Sequence, residues 1–487
     1  MIGSHNYKGA LGDTTVDSAS TRTDALNVYA TTIGANSFSN GAFTTSTGVY
    51  NIISSDYNGG RLANPVKNLG ATITGSLNSI ESKTGSYYSG IANTVSGVAN
   101  RTANSNGSLI YGAGNEITNS YTPLYDTPED GGSSAKAFAD KLRASVRASK
   151  SGGATLAIGG GNKADYTQKT SIIGVNNTVT GTSGSPSTYN SITGYNNTAT
   201  NVKNVSVIGS ENNVTNTNGA VVFGDKRTLT GADGSVVIGL SQNGTSTSVK
   251  NAVAIGSEAN VTVAGGVALG SGSVASVDKG TVGYDASGTN HNSDTTGVWK
   301  STASAVSVGD AAGNTKVTRQ ITNVAAGKED TDAVNVAQLK AVKAAADAAK
   351  VHFFSVKGNS SDENYNNDGA TGDRALAVGV AAKAGGLKAT ALTGGNASGD
   401  FSFAVGNNAQ AKGWGSVAIG AGTLAENQGT VAIGHGAKAY SLESVALGYN
   451  TQAGAPSGQP GAGNHAQTAM GSGTIATGGA ATAFGFE

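Results

Sequence analysis

Hydrophobic residues recur along this chain in a short phrase that closes on glycine. The phrase is SVAIG at 416–420, TVAIG at 430–434 and SVALG at 444–448, so the closing glycines are 14 residues apart. In an extended strand, side chains two positions apart share one side. Short strands at a fixed short period are typical of a solenoid, whose rungs bury apolar surface only against neighbouring rungs. The alternative, disordered low-complexity sequence, does not require Val and Ile at fixed places.

Each position of the phrase has a physical interpretation. Val417 and Ile419 share one side of the predicted strand, and Ala418 faces the other side, where its small size indicates a close approach. Gly420 and Gly434 end their strands, where a turn needs positive φ or close contact with another backbone. The pattern therefore predicts an all-β solenoid of 14–15-residue rungs.

Two long segments carry this repeat, residues 151–282 and residues 352–487. Asparagine pairs at 176–177, 196–197 and 212–213 follow strands of the first segment, and we expect them at tight corners, since Asn tolerates left-handed backbone. The predicted closing glycines are Gly159, Gly174, Gly194, Gly209, Gly224, Gly239, Gly256 and Gly270, then Gly379, Gly394, Gly406, Gly420, Gly434, Gly448, Gly471 and Gly485.

Residues 1–112 hold a looser version of the repeat. Isoleucine-containing stretches of three or four residues at 32–34, 51–53, 72–74 and 109–112 recur at about 19–20 residues, with polar turns between them. This spacing predicts longer, irregular rungs whose corners are looped out.

Residues 113–150 interrupt the repeat. Prolines and glycines predict a loop, and an apolar stripe on a basic background predicts a helix over about 134–150. Two interpretations remain open: a helix that packs its stripe on the solenoid with a solvated basic face, or a contact site on an insertion. The expected ligand-binding residues of the second interpretation are Tyr121, Tyr125, Phe138, Arg143 and Arg147.

A different kind of sequence separates the two repeat segments. Residues 283–317 contain Trp299 and the strand-like AVSVG at 305–309, and residues 318–340 read TRQITNVAAGKEDTDAVNVAQLK. Thr331 or Asp332 is the expected N-cap of a helix running to about residue 350. Within it, Leu339, Val342, Ala346 and Ala349 have the spacing of a coiled-coil seam, which at about two heptads needs support from its flanks.

These segments resemble the YadA-type trimeric autotransporter adhesins of Gram-negative bacteria. Residues 318–340 are similar to the family's neck, the SVAIG rungs to its head repeats, and residues 299–327 to its Trp-ring module. The resemblance implies left-handed parallel β-rolls, with three chains around one axis and a short trimeric coiled coil at 341–351. It implies structural or trimer-contact roles for Trp299, Val336, Leu339, Val342, Val417, Ala418, Ile419, Gly420, Ile433 and Gly434. In this arrangement we expect Val and Ile to fill each roll and Ala to lie between chains.

Composition and charge narrow the class further. Apolar residues make up only 37% of the chain and glycine accounts for 73 residues, which indicates a thin repetitive core. Lys+Arg and Asp+Glu both number 31, so no electrostatic attraction to nucleic acid is implied, and the absence of cysteine excludes disulfides. We found no signal peptide and no apolar run of membrane-spanning length, so we expect a fragment that lacks its export signal and anchor.

The sequence offers no active site, cofactor site or metal site. Residues 364–369 begin like a calcium loop, but Ala375 stands where the bidentate Glu is needed, and the five histidines are scattered. Rungs of 14–15 residues also differ from the hexapeptide coils of β-helical acyltransferases. No acidic pair recurs near an aromatic cleft, as a glycosidase would need.

The expected function is therefore adhesion without enzymatic activity. The family resemblance implies a homotrimer at the bacterial cell surface, on the extracellular side of the outer membrane and held by a C-terminal anchor. Its expected partners are host surface or matrix proteins, glycans or other bacteria, without nucleic acid. Two alternatives stay open: a structural spacer of a surface fibre, and a β-helical carbohydrate-active enzyme.

Overall fold

The structure is a computed structural model in which most of the chain is described. The described residues are 2–4, 7–8, 30–39, 41, 43–55, 68–82, 89–121, 136, 139–140, 143–144, 153–242, 244–312, 316–348, 355–463 and 465–486. The chain divides into two compact units, Met1–Leu339 and Lys340–Glu487. Among the helices that the structure describes, none has the length and apolar character that crossing a membrane requires.

The first unit is a parallel β-roll with two long sheets. Sheet 1 contains, in order, Ile2–Ser4, Thr31–Ala35, Thr45–Val49, Thr72–Ser76, Thr94–Val98, Leu109–Ala113, Leu156–Gly160, Ser171–Val175, Ser191–Tyr195, Ser206–Ser210, Val221–Phe223, Val236–Ile238, Val253–Ile255, Val267–Leu269 and Val306–Ser307. Sheet 2 contains Tyr7–Lys8, Phe38–Ser39, Ile52–Ser55, Ser79–Ser82, Arg101–Ala103, Glu116–Thr118, Lys163–Asp165, Thr178–Thr180, Thr198–Thr200, Asn213–Thr215, Thr228–Thr230 and Ser246–Thr247. Two small sheets pair Thr167–Gln168 with Ser187–Thr188, and Asn260–Val261 with Val274–Ala275.

The second unit repeats this plan with shorter rungs. Sheet 3 contains Leu376–Val378, Thr390–Leu392, Phe403–Val405, Val417–Ile419, Val431–Ile433, Val445–Leu447, Thr468–Ser472 and Thr482–Phe486. Sheet 4 contains Lys383–Ala384, Asn396–Ala397, Gln410–Ala411, Leu424–Ala425, Lys438–Ala439, Gln452–Ala453 and Ile475–Ala476. Equivalent residues of successive rungs pair in parallel, as Val417 does with Val431 and Val431 with Val445. The predicted β-solenoid is confirmed.

The two sides of the repeated strand are opposite to our expectation. Ala418 and Ala432 are fully buried inside the roll, whereas Ile433 points outward and is 37% exposed. Every fully buried apolar side chain that the structure describes in the second unit is an alanine. The prediction that Val and Ile fill the roll is wrong for the second unit, where the inward positions of both sheets are occupied by alanine, so each contributes only a methyl group to the interior. Several 15-residue rungs of the first unit accept larger inward side chains, such as Ile172 and Val207.

The closing glycines have the role that the sequence predicts. Gly420 and Gly434 have φ of +125° and +121°. A Cβ atom on Gly434 would lie 2.2 Å from the carbonyl oxygen of Gly448 in the next rung. Gly394 is an exception, because the residue in register with Gly379 is Thr393, so this closing position was predicted one residue too late.

The early rungs also differ from the predicted register. Gly34, Gly48, Gly75, Gly97 and Gly112 pair along sheet 1, so the intervals are 14, 27, 22 and 15 residues rather than a steady 19–20. In the predicted triplet at 51–53, Ile52 and Ile53 lie in sheet 2 and not in sheet 1. The strand of this rung that lies in sheet 1 is Thr45–Val49. The polar residues of Thr45–Val49 hid this strand in the hydrophobic pattern. The insertion is shorter than predicted, because Glu116–Thr118 still lies in sheet 2.

A ladder of buried asparagines stabilises the first unit. The Nδ2 of Asn177 donates to Oδ1 of Asn162 at 3.0 Å and to the carbonyl oxygen of Gly194 at 2.8 Å, and Asn197 repeats both bonds one rung further on. The described members are Asn51, Asn78, Asn100, Asn115, Asn162, Asn177, Asn197 and Asn212.

The asparagine pairs are therefore only partly corner residues. Asn176 and Asn196 have positive φ, as predicted, but in the third pair the left-handed residue is Glu211, and Asn212 is a ladder member.

Arg227 ends the asparagine ladder where the rungs change type. Its backbone N–H donates to Oδ1 of Asn212, and its buried guanidinium donates to the carbonyl oxygens of Gly239, Gly256 and Ala259 at 2.7–2.9 Å. Burial lowers the pKa of Arg227. These hydrogen bonds satisfy carbonyl groups beside the buried guanidinium, and leaving such groups unpaired is costly in a protein interior.

The helix of the neck segment is Val336–Ala348. Its N-cap is Asn335 rather than Thr331 or Asp332: Oδ1 of Asn335 accepts from the N–H of Gln338, and Oε1 of Gln338 accepts from the N–H of Asn335. This reciprocal pair is a capping box. Asp332 instead accepts from the backbone N–H groups of Lys328 and Glu329, so it stabilises the preceding turn.

The inward alanine column gives a direct test of the rung assignment. Ala432→Asp would bury a carboxylate without a partner, which costs several kcal/mol, and should unfold the second unit locally. Hydrogen exchange should then speed up over residues 417–447 and stay unchanged in the first unit, since rungs depend on their neighbours. Lys438→Asp, on the outer face of sheet 4, is the control and should have little effect. Equal loss of protection in both units would contradict the assignment.

Candidate interaction surfaces

The residues predicted as ligand contacts in the insertion are only partly described. Tyr121 is half-buried and Arg143 is exposed, whereas Tyr125, Phe138 and Arg147 lie outside the described residues. Arg143 pairs with Asp140 at 2.6 Å, and Lys136 pairs with the same carboxylate. These hydrogen bonds, first from Lys136 and then from Arg143, lower the pKa of Asp140. The helical residues described here, 136, 139–140 and 143–144, agree with the predicted helix, but nothing described places them beside Tyr121.

The most extended apolar surface lies on the outer faces of sheets 1 and 3. We call it the outer apolar row: the outward-pointing side chains at the first and third positions of these strands. In sheet 1 its exposed members include Ile173, Ile208, Phe223, Ile255 and Leu269, at 38–51% exposure. In sheet 3 they include Leu376, Ile433 and Phe484, with Val417 and Ile419 half-buried beside them. Within each roll, such a row on one face indicates a surface that another chain covers.

The outer faces of sheets 2 and 4 are polar by comparison. Sheet 2 presents threonines such as Thr178 and Thr198, and sheet 4 presents Lys383 and Lys438. Near its start, sheet 2 also carries Arg101 between Glu81 and Glu116, with nitrogen–oxygen distances of 2.8 and 2.7 Å. The hydrogen bonds that Arg101 donates to Glu81, ahead of the one that it donates to Glu116, raise the pKa of Arg101. Apolar exceptions on these faces include Ile52 and Ile475, so most of the exposed apolar side chains described here lie on the other side of each roll.

The helix Val336–Ala348 has no buried residue in the single chain. Val336, Leu339 and Val342 are 67%, 64% and 66% exposed, and they share one helix face. An isolated helix of this length is marginal in water. Its apolar face therefore needs partner helices, as a coiled-coil seam does.

Trp299 belongs to a small polar loop structure. Its ring stacks on His291 with centroids 4.4 Å apart, and Nε2 of His291 lies 2.8 Å from Oδ2 of Asp285. Hydrogen bonds from Ser287, then from His291, lower the pKa of Asp285 to about 2. Asp294 accepts from the N–H of Trp299, and hydrogen bonds led by Thr296 lower its pKa too. Trp299 stands out in the sequence as one of its two tryptophans, whereas Asp285 and Asp294 do not stand out. The signal that could have found them is their Asp-X-Ser/Thr spacing, which is typical of turns.

Arg319 is a second residue that the sequence analysis did not single out. Its guanidinium donates to Oγ of Ser273 at 2.9 Å and to the carbonyl oxygens of Ser271 and Val308. A Cβ on Gly270 would lie 2.9 Å from the guanidinium carbon, so Arg319 occupies the place that the next closing glycine holds elsewhere. Arg319 thus covers the corner at the last regular rung of the first unit.

Comparison with known proteins gives matches to two family models. Residues 320–362 match the coiled stalk of trimeric autotransporter adhesin, and residues 250–273, 370–392, 397–423 and 425–451 match the YadA head domain repeat. Two curated relatives are similar over short stretches. Autotransporter adhesin BadA of Bartonella henselae is 57% identical over 77 residues, and Trimeric autotransporter adhesin AtaA of Acinetobacter sp. (strain Tol 5) is 52% identical over 73 residues. These stretches are 16% and 15% of this chain and 2% of each relative.

Proposed function

Since the chain belongs to the YadA-type trimeric autotransporter adhesin family, we propose that it forms a segment of a homotrimeric fibre on the bacterial surface. In this proposal its two β-rolls act as heads in attachment, on the extracellular side of the outer membrane and without enzymatic activity. The attachment target is a host cell, extracellular matrix or another microbe.

The outer apolar row is the observation that supports the trimer. In a single chain Ile433 and its equivalents are partly exposed to water. Each Å² of exposed apolar area costs about 25 cal/mol of free energy relative to its burial. A threefold axis in front of sheets 1 and 3 would bring the same row from three chains together and remove that area from water. The exposed seam of the helix Val336–Ala348 points to the same symmetry. The proposal therefore moves Val417, Ile419 and Ile433 to the contact between chains, where we first expected Ala418.

The trimer can be tested by mass and by one outward residue. Size exclusion with light scattering should give three times 47.8 kDa for the unaltered chain. Ile433→Asp should leave each roll folded, since the side chain is 37% exposed in the single chain, yet loosen the contact between chains because three carboxylates would meet there. Hydrogen exchange at residues 431–433 should rise, whereas Lys438→Asp should leave it unchanged. A stable monomeric chain with folded β-structure would contradict the proposal.

For attachment, we propose that the insertion and the corner loops make the specific contacts. The outer faces of sheets 2 and 4 present mainly repeated polar side chains, whereas the insertion adds the aromatic and charged groups that dominate binding hot spots. The proposed contacts remain Tyr121, Tyr125, Phe138, Arg143 and Arg147. Threefold symmetry would present each contact three times, so weak binding gains avidity.

Deleting the insertion tests where attachment resides. Replacing residues 122–152 by a short Gly/Ser link leaves the strand Glu116–Thr118 and the next rung in place. The trimer should persist, and adsorption to matrix-coated or cell-coated surfaces should fall at least tenfold. Lys438→Asp, on the outer face of a regular rung in sheet 4, is the control and should leave attachment at full strength. Full-strength attachment by a trimer lacking 122–152 would show that the insertion does not carry the contacts.

A further inference from the structure

One corner of the second roll carries two exposed aromatic rings on successive rungs. We call it the aromatic corner: Phe401 and Trp414, with Lys388, Asp400 and Gln428 beside them. The corner immediately precedes the strands of sheet 3, and backbone hydrogen bonds fix its register. The N–H of Gly415 donates to the carbonyl oxygen of Asp400, and the N–H of Gly429 donates to that of Trp414, both at 2.8 Å. Trp414 therefore lies between Asp400 and Gln428 along the roll.

The two rings form one surface. Their centroids are 5.6 Å apart and their planes meet at 59°, and they remain 45% and 56% exposed for Phe401 and Trp414. The Nζ of Lys388 lies 5.4 Å from the centroid of Phe401 on the opposite side from the tryptophan along the roll. The result is an aromatic surface bordered by a cation, a carboxylate and an amide, all exposed.

The backbone of Phe401 is unfavourable for its side chain. Its φ is +61°, a left-handed conformation that bulky residues rarely adopt. The left-handed backbone belongs to the corner itself, since Lys388 and Glu443 adopt it at the same position of other rungs, and Gly415 and Gly429 adopt it without strain. The roll therefore does not require a phenyl ring here, and the ring is not buried in the core.

Space beside Trp414 is open. A Cβ placed on Gly415 would meet no atom within 4 Å, so nothing fills the surface next to the indole. A flat ligand could lie on the rings here and reach the side chains of Asp400 and Gln428 with its edges.

We propose that the aromatic corner binds the pyranose rings of a glycan. A pyranose has an apolar C–H face that stacks on an aromatic ring and hydroxyl groups around its edge that bond to carboxylate, amide and ammonium groups. The exposed rings would pack against the C–H face of such a ligand. The carboxylate, amide and ammonium groups beside them would bond to its hydroxyl groups. An apolar peptide side chain would need an enclosing pocket instead, and Phe401 and Trp414 are 45% and 56% exposed. This inference rests on the proposed attachment function, for which it names one ligand class.

The test uses the full-length chain and immobilised chitopentaose, cellopentaose and mannopentaose as probes. At least one probe should bind saturably, and Trp414→Ala and Phe401→Gly should each weaken that binding tenfold or more. Phe401→Gly should also leave the melting temperature of the second unit unchanged or raise it, because glycine relieves the strained backbone. Tyr449→Ala is the matched control: Tyr449 is 56% exposed and stacks on His435 at the other end of the sheet 3 strands, so its loss should not change binding.

Accessibility in the assembled protein is measured on the Trp299→Phe chain, whose remaining tryptophan is Trp414. Acrylamide should quench its fluorescence strongly, and the bound glycan should protect it. The inference is overturned if no probe binds, if Tyr449→Ala and Trp414→Ala lose binding equally, if only peptides protect Trp414, or if acrylamide cannot reach it. Attachment to matrix without glycan binding would reject the aromatic corner alone, whereas a chain that attaches to nothing would reject the proposed function as well.

Discussion

The closest approach between rungs occurs at the closing glycines, and the rest of the roll depends on it. At this corner the backbone of one rung lies against the carbonyl oxygen of the next, with no room for a Cβ atom, as Gly434 and Gly448 show. Where a rung closes on glycine, such contact fixes its register relative to the next rung. Residues at equivalent positions then stack in columns, and each column has one environment along the roll. The inward alanines, the outer apolar row and the asparagine ladder are all columns of this kind.

Changes of rung type show how the columns constrain the sequence. Asparagine can repeat from Asn51 to Asn212 because each side chain bonds both to its predecessor and to a glycine carbonyl group. Where the rungs change type, Arg227 takes the place of asparagine and donates hydrogen bonds to three carbonyl oxygens of the following rungs. At the last regular rung of this unit, Arg319 donates hydrogen bonds to Oγ of Ser273 and to the carbonyl oxygen of Ser271. Its guanidinium lies where the next rung would otherwise cover these groups. Both arginines thus lie where a repeating hydrogen-bond pattern stops.

Much of this fold could be predicted from spacing alone, because glycine and β-branched residues recur at fixed intervals. The sides of the strand could not be assigned in this way. Val and Ile ordinarily mark the interior, whereas in the second unit Ala418 points inward and Ile419 points outward. The polar strand Thr45–Val49 has no apolar signal, and Thr393 closes its rung without glycine. The aromatic corner was also missed, since Phe401 and Trp414 are isolated in the sequence and become neighbours only through the register.

Distances between spin labels test the central claim, that the outward side of sheet 3 faces the other chains, most directly. The chain has no cysteine, so a single cysteine can be introduced and labelled at Ile433 or, on the outer face of sheet 4, at Lys438. Double electron–electron resonance on the trimer should give one short distance for the label at 433, shared by three equivalent pairs, and a clearly longer distance for the label at 438. A longer distance at 433 than at 438 would place sheet 4 towards the axis and contradict the account.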